Sequence, residues 1–144
     1  MKKKSLFAAA ALSAVLLAGC GAKDVTSEQV KASDLEEFAT EYYNEAKDND
    51  DKGLIVIENA TKQYLYVKDF TDAEGNPVKI TDMKFTKENN TREPNYRVDI
   101  TTEPVSDASE GEAIYEFQNS KNLEVLDFYV DGKRSHVDKV YVNH

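Results

Sequence analysis

The chain has 144 residues, with 18 basic and 27 acidic side chains and a formal charge of −9. That balance excludes the basic footprint of a non-specific nucleic-acid binder, and the length sets one domain with a modest core. A single cysteine excludes an intrachain disulfide.

Lys2, Lys3 and Lys4 precede an unbroken apolar run over residues 6–18 (LFAAAALSAVLLA). The run is too short, and wrongly flanked, for a membrane-spanning helix. Leu17-Ala18-Gly19-Cys20 follows it directly. This order of charge, apolar run, small residues and Cys resembles the lipobox signal peptide of bacterial lipoprotein precursors. The resemblance covers the export segment alone. It implies diacylglycerol transfer to the Cys20 thiol and cleavage between Gly19 and Cys20. The mature protein would then be lipid-anchored on the extracytoplasmic face of the cell membrane. Acylation also accounts for an unpaired thiol in an exported chain. The released residues 12–19 (LSAVLLAG) look like the short apolar signalling peptides cut from some lipoprotein leaders. Loss of the three lysines leaves 15 basic against 27 acidic side chains, a balance of −12. That leaves no polybasic second membrane signal and suits a cationic protein or peptide as partner.

Residues 20–32 read as the lipidated cysteine and a short polar tether, and 33–144 as one domain. Ser33-x-x-Glu36 is a capping-box pattern. Leu35, Phe38, Ala39, Tyr42 and Ala46 follow at helical spacing, which predicts a helix over 34–48 with a stop at Gly53. Leu54–Ile57 is a continuous apolar run, as in a strand buried on both faces, and 63–67 is a second strand. Residues 72–77 (DAEGNP) are turn chemistry. Val78 and Ile80 alternate out of phase with Met83 and Phe85, which predicts a bulge near Thr81–Asp82. Residues 88–95 read as a loop, 96–101 as a half-exposed strand, 103–111 as a second polar loop and 113–117 as a strand. Leu123 and Val125 shift phase to Leu126, Phe128 and Val130, a second expected bulge. Asp131-Gly132 predicts a type I′ hairpin that sets Val130 against Lys133 and Leu126 against Val137, with a last strand over 135–142. One helix followed by about seven strands favours an α+β fold: an N-terminal helix on a curved antiparallel sheet of six to seven strands. The alternative is a β-sandwich carrying an N-terminal helix.

The sharpest local motif is Asp48-Asn49-Asp50-Asp51-Lys52-Gly53-Leu54-Ile55, which looks like the opening of an EF-hand calcium loop. Asp48 and Asp50 would be ligands one and three, and Gly53 the sharp turn. The pattern departs at Lys52, where Asp or Asn belongs, and at Asn59, where a bidentate Glu belongs; Glu58 is one residue early. Acids at a helix C-terminus also oppose the macrodipole. Tyr64 and Tyr66 share one strand face, which is core if covered and an aromatic binding patch if open. Tyr129 and Tyr141 pose the same question. His136 lies in the final strand and His144 is the last residue. No nucleophile elbow, zinc-protease helix, Cys-x-x-Cys or phosphate loop occurs. The sequence therefore points to an anchored, non-catalytic binding or accessory domain with no cofactor beyond that candidate calcium. A second reading is an inhibitor or sequestering protein for a cationic partner such as a basic cell-wall hydrolase. Its candidate contacts are Asp48, Asp50, Asp51, Glu88, Asp107, Glu110 and Glu112. A third is a carboxylate-based hydrolase.

Overall fold

In the computed structural model, which describes residues 25–88, 95–119 and 125–144, one helix packs on a sheet in an α+β fold. The helix is α1 (Glu37–Asp48). The strands are β1 (Thr26–Val30), β2 (Gly53–Glu58), β3 (Gln63–Lys68), β4 (Val78–Glu88), β5 (Asn95–Pro104), β6 (Ala113–Gln118), β7 (Val125–Val130), β8 (Lys133–Ser135) and β9 (Lys139–Val142). They divide between two sheets, ordered β1-β6-β3-β2-β9 and β4-β5-β7-β8. The pairings are antiparallel except β2 with β9 and β5 with β7.

Three layers result, with the five-stranded sheet in the middle. Leu54, Val56, Leu65, Val67 and Phe117 face the second sheet, whose Val98, Ile100 and Phe128 complete one core. Ile55, Ile57, Tyr64 and Tyr66 face α1, with Ala39, Ala46, Ile114 and Tyr141 in the other. The unbroken apolar run of β2 thus has covers on both sides. Each such side chain contributes about 1.5–3 kcal/mol when fully buried. Ala39 and Ala46 are the wholly buried residues of the helix. Leu35, Phe38, Tyr42 and Tyr43 flank them and are only partly buried. Tyr43 meets the Tyr66 ring edge-on at 4.8 Å, and Phe38 meets Tyr64 at 6.2 Å between centroids.

Several expectations need correction. The helix starts at Glu37, and the Ser33 capping box does not form. Residues 32–34 make a 3₁₀ turn, in which the Asp34 carboxylate accepts from the Lys31 N–H at 3.1 Å. The supposed tether contains β1, which pairs with β6 from Thr26↔Gln118 to Val30↔Ile114. Folded structure therefore begins by Val25, which is 3% exposed. The last strand is two strands. β8 pairs with β7 only from Val130↔Lys133 to Phe128↔Ser135, so Leu126 and Val137 are not partners. The chain then crosses to the other sheet and runs as β9 beside β2. Asp138 makes that crossing: its N–H donates to Leu54 O and its Oδ2 accepts from Leu54 N–H, both at 2.8 Å. The bulge between Ile80 and Asp82 is present. So is the turn, with positive φ at both Asp131 (50°) and Gly132 (85°), as type I′ requires. The expected 88–95 loop loses its first and last residues to β4 and β5; its middle, and the bulge near Leu123, lie outside the described residues.

The register gives the molecule two unlike ends. Thr26, Gln118, the Glu58–Gln63 turn and Val142 share one end, here the entry end. The 49–52, 69–77 and 105–112 connections, the β7–β8 turn and the β8–β9 crossing share the other, the far end.

Candidate functional site

Two adjoining grooves open at the far end. One, of about 460 Å³, runs between residues 70–74 and the β7–β8 hairpin. The other, of about 710 Å³, lies between Lys52–Gly53, the 69–77 connection and His136–Asp138. Both are lined by Phe70, Thr71, Arg134 and Ser135. Phe70 is 7% exposed and belongs to the core between the sheets, so it forms an apolar floor.

The walls are fixed by short-range chemistry. Asp72 Oδ1 accepts from the N–H groups of Glu74 and Asn76, each at 2.9 Å. The Asn76 N–H foremost, then that of Glu74, holds the Asp72 carboxyl below its ordinary pKa. Gly75 supplies the positive φ, 88°, that closes this turn. Across the groove, Asp131 accepts from the Thr102 N–H at 2.9 Å and from its hydroxyl. Arg134 pairs with Asp127 at 3.1 Å. Asp72, Asp131 and Asp138 are thus occupied as acceptors for backbone N–H groups. The exposed Lys52, Lys133 and His136 and the acids Asp69 and Glu74 set the remaining polarity. Such a surface can hold a ligand by charge and hydrogen bonds over an apolar floor.

The residues singled out from sequence fall elsewhere. Gly19 and Cys20 lie outside the described residues. Tyr64 and Tyr66 are 1% and 0% exposed, so they are core beneath α1 and form no surface patch. Burial first, and then the bond donated to Glu112 Oε2 at 2.9 Å, raises the Tyr66 phenol above its usual range. Tyr141 is also buried; its hydroxyl donates to Asp51 and accepts from Asn49 Nδ2 at 3.0 Å. Tyr129 alone stays half open, on the outer face of the second sheet, with the Arg97 guanidinium 3.7 Å from its ring centroid.

The calcium expectation is not supported. Among the described residues, no group of three or more His, Cys, Asp or Glu is placed to hold a metal ion. Asp48 and Asp50 are exposed, Gly53 leads straight into β2, and Asp51 is taken by Tyr141. The misplaced acids have another counterweight. Lys68 Nζ donates to the carbonyls of Ala46, Lys47 and Asn49 at 2.7, 3.1 and 2.7 Å, capping the negative end of the helix.

Six of the seven acids chosen for clustering do gather at the far end; Glu88 alone sits at the other. Some have local duties: Glu110 accepts from the Ser106 and Asp107 N–H groups at 3.0 and 2.8 Å, and Asp107 from Ser109 at 3.1 Å. The grooves themselves were missed. Their walls come from turns recognisable one by one, but no local pattern says that those turns converge. No protein-family model, curated protein or solved structure matches the chain.

Proposed function

We propose that this chain is a lipid-anchored lipoprotein of the bacterial cell envelope, with a non-catalytic binding or accessory domain on the extracytoplasmic side. The observation that carries the reading is the lipobox-like Leu17-Ala18-Gly19-Cys20, followed after four residues by Val25, already buried in the fold. The grooves at the far end are the binding region of this reading. Their fixed carboxylates suit contact better than proton transfer. The test is metabolic labelling with a fatty-acid analogue. Wild type takes the label and loses residues 1–19, whereas Cys20→Ala takes none and keeps its leader. Equal label on both proteins would overturn the anchor.

A second reading is favoured by the gathering of acids. Asp48, Asp50, Asp69, Glu74, Asp107, Glu110 and Glu112 are exposed around the far end. That field suits a cationic partner, sequestered or inhibited at the envelope. Affinity capture through the anchored protein, followed by mass spectrometry, identifies it.

A further inference from the structure

We infer that the anchored domain stands on the bilayer by its entry end and holds its grooves on the side away from the lipid. This rests on the lipid-anchor reading and adds to it a direction.

The argument is one of register and reach. Six residue steps separate Cys20 from Thr26, so their Cα atoms are at most about 20 Å apart whatever path the chain takes. Thr26 is fixed to Gln118 across the β1–β6 ladder, and Gln118 lies at the end of β6 beside Gln63 and the Glu58–Gln63 turn. The first fixed point of the fold is therefore at one end of the sheet. A strand of five or six residues is about 17–20 Å long. The far end thus lies nearly a full tether length beyond Thr26. Bringing the grooves to the membrane would require an almost fully stretched tether, which costs chain entropy; standing on the entry end does not.

Charge points the same way. The entry end offers Lys62, but Lys62 is paired with Glu116 at 2.8 Å and with Glu36 at 3.6 Å. Glu58 lies in the same turn region, with its carboxylate taking the Gln63 amide at 2.8 Å. Among the described residues, the exposed Lys87 beside Glu88 is a single cation at that end, short of the basic cluster that binds anionic headgroups, so the acyl chains carry the hold. The more acidic far end is repelled by an anionic bilayer. A partner of the grooves must then be a water-borne or wall-side molecule and not a lipid.

The test uses the lipidated full chain in vesicles. Cys20 is the only cysteine and is acylated, so an introduced cysteine is the one free thiol. Thr61→Cys and Asn143→Cys mark the entry end; Ala73→Cys and Ser106→Cys mark the far end. All four positions are exposed. Each is labelled with a fluorophore and mixed into vesicles carrying a headgroup-linked acceptor. Energy transfer at 61 and 143 should exceed that at 73 and 106 by at least threefold. Equal transfer at the two ends, or more at the far end, in membrane-bound protein overturns the orientation while leaving the anchor intact. Failure of wild type to take the fatty-acid label overturns both.

Discussion

Lys68 shows how one side chain settles a conflict that the sequence leaves open. The end of α1 carries Asp48, Asp50 and Asp51, where the macrodipole asks for cations. The answer comes from β3, about twenty residues on, as three charge-assisted bonds to helix-end carbonyls. Lys68→Met keeps the aliphatic stem and removes the ammonium. It should cost about 1–3 kcal/mol, read as a lowered urea midpoint with unchanged slope. The loss should shrink at 1 M salt. Titratable residues give a second expectation. Asp72 and Asp51 are held below the ordinary carboxylate pKa, by backbone N–H groups and by the Tyr141 hydroxyl respectively. The stability they add is present above about pH 4 and is lost as pH falls through their lowered values. Burial raises Tyr115 to about 12 and also raises Tyr141, so their contribution is full below about pH 10 and is lost as pH climbs past it. Thermal midpoints measured from pH 2 to 12 should form a plateau between roughly 5 and 9.5 and fall on both sides. A midpoint that rises between pH 10 and 12 would contradict the tyrosine part.

Among the elements, β8 and β9 form the least expected pair. Residues 135–142 read as one strand, and nothing in the sequence marks a change of sheet at Asp138. The change depends on Gly53, whose φ of +96° lets β2 begin against the Asp138 carboxylate. A Cβ on Gly53 would overlap that carboxylate. Gly53→Ala should therefore destabilise by about 2 kcal/mol or more, backbone strain and overlap together. Asp138→Ala should recover part of the loss, so the pair should be non-additive in a double-mutant cycle. Simple addition of the two effects would show that the contact is incidental. Other elements were legible for physical reasons. β2 and β3 lie between two covers, α1 has one apolar stripe, and the Asp131-Gly132 turn needs two positive φ values. β1 was not legible. As an edge strand with Glu28 and Gln29 exposed, it has no apolar pattern to read, and its evidence is the ladder to β6. Lys68 and the convergence of the groove walls were hidden likewise, because each depends on residues far apart in the chain.

At the scale of the whole molecule, the first and last of the described strands form the two edges of one sheet. β1 flanks β6 and β9 flanks β2, and the N-terminal residue of β1 and the C-terminal residue of β9 meet the same end. The inner face of β9 projects past the second sheet, leaving Val140 and Val142 48% and 38% exposed. The concentration of acids opposite that end makes salt the simplest probe of recognition. A captured cationic partner should associate about tenfold or more slowly at 0.5 M than at 0.05 M salt, with dissociation less affected. An association rate indifferent to salt would leave the Phe70 floor as the better candidate contact. The position of β1 also has a mechanical consequence. A pull between Cys20 and a partner seated in the grooves acts along the axis of β1, while the sheet beside it is drawn the opposite way. The hydrogen bonds to β6 lie across that axis, so they are loaded together and must give way as a set. The same strand peeled from its other end would release them one pair at a time. A tether that enters through an edge strand in this direction resists force in shear, and the domain should hold its shape under loads that would unzip it from the opposite end.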